Sequence, residues 1–247
     1  PDSEVFYDFG LSHDTKFGDQ CHPNCDCGRF LEIGNSVFME YKKAADGSFE
    51  KLKQRNVDFG GGLERIVMAA TNNPDIIAVN HRPILDHLEE KSKKIYGSDK
   101  NETEAFRIIA DHMKAAVFLI SDGVYPTNAD QGYFVRRLIR RSVRYADLLG
   151  ISESMFASVV RPIAEMYKDA YPEVGEKVFE IEQIVTEEEN RFRETLVRGL
   201  KEFERLAGEN ISGHDAFVLF STYGFPLEIT QELAAERGIV VDVAGFK

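Results

Sequence analysis

No stretch of this sequence approaches the ~20 consecutive apolar residues that a membrane-spanning helix needs. The amino end, Pro1-Asp2-Ser3-Glu4, has neither the basic patch nor the apolar run of a secretory signal. It also has no initiator methionine and starts close to a β-prone run, Glu4 to Tyr7, so it reads as a cut through a larger protein. Cysteine is scarce and confined to one short segment, Cys21, Cys25 and Cys27; an odd number cannot pair off within one chain, and reduced thiols are expected. Positive charge is in deficit, with 30 Lys and Arg against 42 Asp and Glu and a net charge of −12. A surface of that balance does not attract polyanions as a whole, so any nucleic-acid contact must be local. No repeat with a period of 20 to 50 residues is evident. The expectation is a cytoplasmic protein without a membrane partner.

What is present is globular. Hydrophobic residues make up 43 % and charged residues 29 % of 247, enough for a substantial core in one large domain or two ordinary ones. Up to about Ile84, Gly, Asn and Asp punctuate short β-prone runs, Arg29 to Ile33, Ser36 to Tyr41 and Asn56 to Phe59, which read as an antiparallel sheet. Asp46-Gly47 between two such runs is a hairpin signal. Helix signals begin at Leu63 and recur after Pro83. Phe106, Ile109, Ala110, Met113, Val117 and Ile120 repeat at helical spacing in a helix from Thr103 to Ile120, with Thr103 as candidate cap. Further helices are predicted from Gly132 or Tyr133 to Leu149, from Glu176 to Ala207, from Asp215 to Phe220 and from Leu227 to Arg237. The fold class is therefore α+β, sheet first and helices second, dividing near residues 85 to 100.

Two constellations carry chemistry. In Asp58-Phe59-Gly60-Gly61-Gly62-Leu63-Glu64-Arg65-Ile66 a glycine run joins a strand to a helix. Glycines let backbone approach a ligand closely, and a planar, permanently charged guanidinium one turn later suits a base or a phosphate. The spacing fits neither a P-loop nor a dinucleotide fingerprint, so a glycine turn made for packing is an equal reading on these residues alone. Asp58 likewise can be a turn-forming carboxylate at a strand end.

The second constellation is the segment from Gly132 to Arg144. At about 100° per residue, Arg136, Arg137, Arg140, Arg141 and Arg144 share an arc of roughly 140°, with Phe134, Val135, Leu138, Ile139 and Val143 opposite. One face reads as core and the other as a local basic site suited to phosphate. Pairing with an acidic helix, such as Glu187-Glu188-Glu189, remains the alternative. The Cys21, Cys25, Cys27 cluster with His13 and His22 can supply zinc ligands, but its spacing is not that of a common zinc knuckle. No metal is assigned to it. Glu32 and Glu40 read as solvated strand-face residues.

The runs Arg29 to Tyr41 and Asn56 to Ile66, in that order, resemble the alanine-activating region of alanyl-tRNA synthetases, the second run being similar to motif 3 of class II enzymes. The resemblance covers nearly the whole chain. It implies that Asp58 holds the substrate ammonium, that Asn35 and Val37 line the same pocket, and that Gly60 limits its size. Gly61, Gly62 and Arg65 then serve ATP, with Arg65 the catalytic contact and Mg2+ accompanying ATP. Each role has a physical reason, since an ammonium needs a fixed carboxylate and a methyl group needs a pocket with little spare volume. One departure is Gly34, where the family commonly has an aromatic residue.

The segment from Ala110 to Gly150, with Pro126-Thr127-Asn128 ahead of the arginines, resembles the tRNA-recognition domain of the same family. This implies that the acceptor stem of tRNA(Ala), marked by a G·U pair, is met by Asn128, Arg136, Arg137, Arg140, Arg141 and Arg144. Ser221, in Phe220-Ser221-Thr222-Tyr223-Gly224-Phe225-Pro226, stands where the family usually has aspartate. The zinc associated with the family belongs to a separate editing domain. The implied organisation is the end of a class II catalytic domain over 1–85 and a helical tRNA-recognition domain over 86–247. Motifs 1 and 2 are expected upstream, so the chain alone is expected not to activate alanine. The alternative reading is an RNA-binding module without catalytic activity.

Overall fold

The computed structural model describes residues 1–151, 156–206, 208 and 210–246. The chain is mixed α+β and forms two compact units, Pro1–Arg82 and Pro83–Lys247.

The first unit is built on an antiparallel sheet in which β2 (Phe30–Lys43) lies between β1 (Asp2–Asp8) and β3 (Phe49–Gly61). The β2–β3 hairpin closes through the Asp-Gly turn: Ala44 N–H donates to the Ser48 carbonyl at 2.8 Å, the Asp46 carboxylate accepts from Ser48 N–H at 2.9 Å, and Gly47 takes φ +87°. The two β-prone runs on either side of Gly34 are one strand. Glycine does not end it because a neighbour fills the space. A Cβ at Gly34 would lie 3.0 Å from Phe59 Cζ and 3.0 Å from the Gly60 carbonyl, so the Phe59 ring on β3 covers the missing side chain.

One irregularity interrupts the β1–β2 register. Val5 pairs with Gly34 but Phe6 pairs with Glu32, which leaves Ile33 as the extra residue of a β-bulge. Beyond β1 a long loop leaves and returns to the same rung. Phe9 N–H donates to the Arg29 carbonyl at 2.9 Å, and Arg29 forks onto Asp8 at 2.8 and 2.7 Å, which holds the Asp8 carboxyl down at about 2. After β3 come α1 (Leu63–Thr71), entered from Gly62 and stopped by Asn72 at φ 49°, and α2 (Ile76–Asn80). The short α2 was not visible in hydrophobic periodicity. It is set by Asp75, whose carboxylate accepts from the Ile77 and Ala78 N–H groups.

The second unit begins within α3 (Arg82–Ser92) and continues through α4 (Lys100–Ser121), α5 (Asp130–Leu148), α6 (Val160–Tyr167), α7 (Pro172–Glu176), α8 (Val178–Leu206), α9 (Gly213–Tyr223), α10 (Leu227–Ala235) and α11 (Val243–Phe246). It is not all-helical as expected. A two-residue parallel pair joins β4 (Asn210–Ile211) to β5 (Val240–Val241), too short to leave an alternating pattern. The core forms from Phe106, Ile109, Met113 and Val117 of α4, Val135, Ile139 and Val143 of α5, and Phe192 and Phe203 of α8, all fully buried. Each such side chain contributes roughly 1.5–3 kcal/mol.

α4 starts earlier than Thr103 because a better cap precedes it. The Asp99 carboxylate accepts from Asn101 N–H at 2.8 Å and Glu102 N–H at 2.9 Å, satisfying two orphan donors while complementing the helix dipole. Thr103 lies inside the first turn, its hydroxyl donating to the Asp99 carbonyl. α8 buries Ile181, Val185, Phe192, Leu196 and Phe203 as its periodicity predicts. It also buries Glu188 and Glu189, which periodicity does not predict. Ala207, the expected end of that helix, lies outside the described residues.

Candidate functional site

In the first unit, β2 and β3 pair Asn35 with Gly60 and Val37 with Asp58. Residues directly opposite in an antiparallel pair project to one face, and so do residues two apart on a strand. The four positions singled out in the sequence for an amino acid therefore form one square on one side of the hairpin. The Gly60 side is open: a Cβ there would meet only Asn35 Oδ1, at 3.5 Å. Asp58 is exposed, and its carboxylate has no hydrogen bond or ion pair among the described residues. Such a group is available to a ligand cation.

The sheet adds residues to this face that the sequence reading missed. β1 pairs Glu4 with Asn35 and Asp2 with Val37, so both acids continue the rows from the other edge. Because Phe6 follows Glu4 by two and pairs with Glu32, the bulge at Ile33 turns Glu32 onto the same face. Arg65 on α1 reaches Glu32, donating from Nη1 to its carbonyl at 3.1 Å and to Oε2 at 3.4 Å. Glu32 is thus the partner of the motif arginine and not a bystander on the strand. Gly61 and Gly62 lie between strand and helix. A Cβ on Gly62 would sit 3.1 Å from Arg65 Cδ, so the missing side chain lets the arginine fold back over the turn. Bulges are not visible in a sequence pattern, so strand alternation alone leaves Glu32 among the solvated positions.

In the second unit the turn from Pro126 to Asn128 and the turn from Tyr223 to Pro226 meet beside α5. Asn128, Tyr133, Arg136, Arg140, Phe220, Ser221, Gly224 and Pro226 line a cavity of about 170 Å³. A closed cavity of roughly 150 Å³ holds benzene, so this partly open one is about the size of a single aromatic ring or base. Asn128 Oδ1 accepts from Arg136 Nη1, and both Asn128 and Ser221 are exposed. Burial of the Tyr133 phenol pushes its pKa up, keeping it a neutral donor in the wall.

The arginines on α5 are not a bare basic face. Arg137, Arg141 and Arg144 pair with Glu228, Glu232 and Glu236 at 2.7, 2.5 and 2.6 Å, a ladder from α5 into α10 and the turn that follows it. Arg140 is 9 % exposed and donates from Nε to Glu188 Oε1 at 2.6 Å and from Nη1 to the Gly224 carbonyl at 2.6 Å. Burial lowers the Arg140 pKa and the Glu188 charge opposes that shift. Arg136 reaches the same Glu188 oxygen at 3.3 Å. Helical periodicity showed five arginines on one arc. Of the acidic stretch Glu187-Glu188-Glu189, which the sequence offers as the alternative partner of this arc, Glu188 does meet Arg136 and Arg140; the α10 acids that cover the rest were not foreseen. The spacing of Glu228, Glu232 and Glu236, one acid per helical turn, was a usable signal, since Arg137, Arg141 and Arg144 also recur about once per turn.

Two glycines are required by this geometry. Gly224 has φ +66°, and a Cβ there would fall 2.0 Å from Arg140 Nη1. At Gly132 it would fall 2.2 Å from Thr127 Oγ1 and 2.4 Å from the Tyr125 carbonyl, so Gly132 lets the Asn128 turn fold against α5. Elsewhere, the loop ahead of β2 gathers His13, Cys21, Cys25 and Cys27.

An antiparallel sheet whose glycine-rich strand end runs into an arginine-bearing helix, in a chain that continues as helices, has the features of a class II tRNA synthetase. The comparisons agree. The family model described as tRNA synthetases class II (A) matches residues 1–247, and the chain belongs to that family. Its relatives include the alanine–tRNA ligase of Borrelia hermsii, 41 % identical over 254 residues that cover 100 % of this chain and 42 % of that protein. The alanine–tRNA ligase of Natranaerobius thermophilus is 38 % identical over 255 residues, covering 100 % of this chain and 29 % of the relative. That of Thermotoga petrophila is 40 % identical over 251 residues with the same coverage, 100 % and 29 %. The chain thus spans between 29 and 42 % of the length of these relatives. Among the described residues, no helix is long and apolar enough to cross a membrane.

Proposed function

We propose that this chain is the part of an alanine–tRNA ligase that carries motif 3, one wall of the alanine pocket and the acceptor-stem recognition helices. Residues up to the unit boundary supply the end of the catalytic sheet, and the remainder recognises tRNA. The observation that carries the reading is the strand register, which brings Asn35, Val37, Asp58 and Gly60 to one face. The Asp58 carboxylate neutralises the ammonium of alanine, Val37 and Asn35 bound its methyl group, and Gly60 leaves room for nothing larger. Arg65, steadied by Glu32, lies beside the Gly61–Gly62 turn, where backbone and guanidinium together accept ATP. The alanine carboxylate attacks the α-phosphate of ATP and pyrophosphate leaves, giving alanyl adenylate; a hydroxyl of the terminal ribose of the tRNA then takes the alanyl group, losing its proton as AMP departs. These residues work by positioning and charge.

Mg2+ accompanies ATP in this reading. Among the described residues no three carboxylates converge on one point, so this chain offers no cage of its own. Mg2+ asks for only one or two carboxylates beside phosphate oxygens, and Asp2 and Glu4 are hard donors on the right face. In the second unit, Asn128, Arg136 and Ser221 read the acceptor stem at their shared cavity. Arg137 and Arg141, about a third exposed, reach phosphate at its rim. Arg140 and Arg144, nearly buried, hold the surrounding helices in place.

The test uses the longer protein to which the chain belongs. Asp58→Asn removes a charged hydrogen bond of about 1.5–3 kcal/mol, and is expected to raise the KM for alanine in pyrophosphate exchange about 10- to 150-fold with little change for ATP. Asn128→Ala with Ser221→Ala is expected to lower tRNA charging while leaving exchange intact. Unchanged alanine dependence in Asp58→Asn would remove the pocket assignment.

A further inference from the structure

The loop from Phe9 to Arg29 has no apolar core of its own. Its regular structure is one 3-10 turn, Thr15–Phe17, and Cys25 is its one buried residue, while Leu11 and Phe17 are 42 and 50 % exposed. Loops this long without secondary structure are uncommon in compact domains and need some other tie. Here the chain folds so that three closely spaced thiols and an imidazole eight positions ahead of the first of them converge. One ligand atom from each of His13, Cys21, Cys25 and Cys27 lies within 4.8 Å of all the others.

We propose that His13, Cys21, Cys25 and Cys27 bind one zinc ion, which staples this loop to the β1–β2 end of the sheet. Tetrahedral zinc with Zn–S near 2.3 Å and Zn–N near 2.0–2.1 Å separates its sulfurs by ~3.8 Å and a sulfur from a nitrogen by ~3.6 Å. Cys21 Sγ lies 3.7 Å from Cys27 Sγ, and Cys25 Sγ lies 3.7 Å from His13 Nδ1. Those are edges of such a tetrahedron. They are far longer than the ~2.0 Å of a disulfide, and all three cysteines are free.

The histidine is held the right way round. His13 Nε2 stands 2.7 Å from the Gly18 carbonyl and must carry the proton to bond it, which leaves the Nδ1 lone pair facing the thiols. A backbone carbonyl on the far ring nitrogen is the usual outer-shell partner of a metal-bound imidazole. Three soft thiolates with one imidazole select zinc among common divalent ions, and four protein ligands leave no open position, so the site is structural. The spacing hid it because the fourth ligand, His13, precedes the cysteines, whereas a zinc knuckle is sought as paired cysteines.

The position gives the ion a purpose. His22, Pro23 and Asn24, between two of the ligands, form an open cleft with Asp2, Glu4 and Phe6 of β1. Asp2 and Glu4 continue the rows of Val37 and Asn35, so the stapled loop is the rim of the face that the functional reading uses. The zinc site does not depend on that reading.

The experiment uses the 247-residue chain, purified with reductant and without chelator. Elemental analysis is expected to find close to one zinc per chain. After chelator treatment, added Co2+ is expected to give the intense visible bands of tetrahedral thiolate coordination, and zinc to abolish them. Cys27→Ser and His13→Ala are expected to lose most of the metal, with His22→Ala retaining it. Helical circular dichroism, which comes chiefly from the second unit, together with resistance of the first unit to limited proteolysis, checks that each variant folds. A metal-free preparation whose apo form gives no cobalt–thiolate band overturns the proposal. So does a Cys21–Cys27 disulfide in the reduced preparation, or metal loss in His22→Ala but not in His13→Ala.

Discussion

Replacing Arg140 by alanine tests whether the arginines of α5 are structural supports. Glu188 is 2 % exposed, and its Oε2 has no hydrogen-bond partner, so its charge is tolerated through the guanidinium on Oε1. Breaking a buried pair from one side costs about 3–5 kcal/mol, because the remaining charge stays desolvated. Two further losses add to this: the Gly224 carbonyl loses its donor, and the ring of Phe192 loses a guanidinium 5.3 Å from its centroid. One effect opposes them, since Arg136 at 3.3 Å remains to face Glu188. The net expectation is therefore near the lower end, about 3 kcal/mol. At about 2–4 °C per kcal/mol for a unit of this size, Tm falls by roughly 6–12 °C.

Urea unfolding followed by circular dichroism measures the loss, and a double variant separates the charge from the packing. Arg140→Met with Glu188→Leu removes both charges at similar volume and is expected to recover most of the stability. Arg140→Lys is expected to fall between, because an ammonium cannot fork to Glu188 and the Gly224 carbonyl together. A loss below ~1 kcal/mol in Arg140→Ala, or no recovery in the double variant, would refute the reasoning.

Other consequences follow from the glycines and caps. Gly224→Ala collides with Arg140 Nη1 in the parent, whereas with Arg140→Ala present only the strain of φ +66° remains, about 1–3 kcal/mol; a cycle of the two variants measures the coupling. Gly60→Ala meets only Asn35 Oδ1 at 3.5 Å, so stability is expected to hold or rise by up to about 1 kcal/mol while alanine affinity drops in the longer protein. A stable variant with unchanged alanine KM would contradict the pocket. Gly132→Ala drives Thr127 and the Tyr125 carbonyl away and is expected to weaken both stability and tRNA binding, read by thermal melts and filter binding. Asp99→Ala removes the two-donor cap of α4 and is expected to cost about 1 kcal/mol in urea unfolding with no effect on tRNA.

Much of the local structure was legible in the chain itself. Asp46-Gly47 specified its hairpin, apolar spacing specified α4, α5 and α8, and the three glycines marked where β3 passes into α1. These are short-range effects, in which a residue's own dihedral preference or the period of burial decides the outcome. The motifs around Asp58 and Arg65 were legible for the same reason, since they are contiguous. Cross-chain pairings could not be read that way. That Asn35 faces Gly60 is a matter of strand register, and a slip of one residue would have turned every side chain to the other face. The bulge at Ile33 that brings Glu32 under Arg65, the Phe59 ring over Gly34, and the gathering of His13 with three cysteines each depend on residues distant in the chain. The arginines of α5 make the same point. Their helical arc is a property of sequence, but whether water, phosphate or a glutamate meets a guanidinium is decided by which helix packs against it. The sequence offered Glu187-Glu188-Glu189 as one possible cover, but only the tertiary structure selected Glu188 and brought the α10 acids there, because desolvated charge is tolerated only where the fold supplies its opposite.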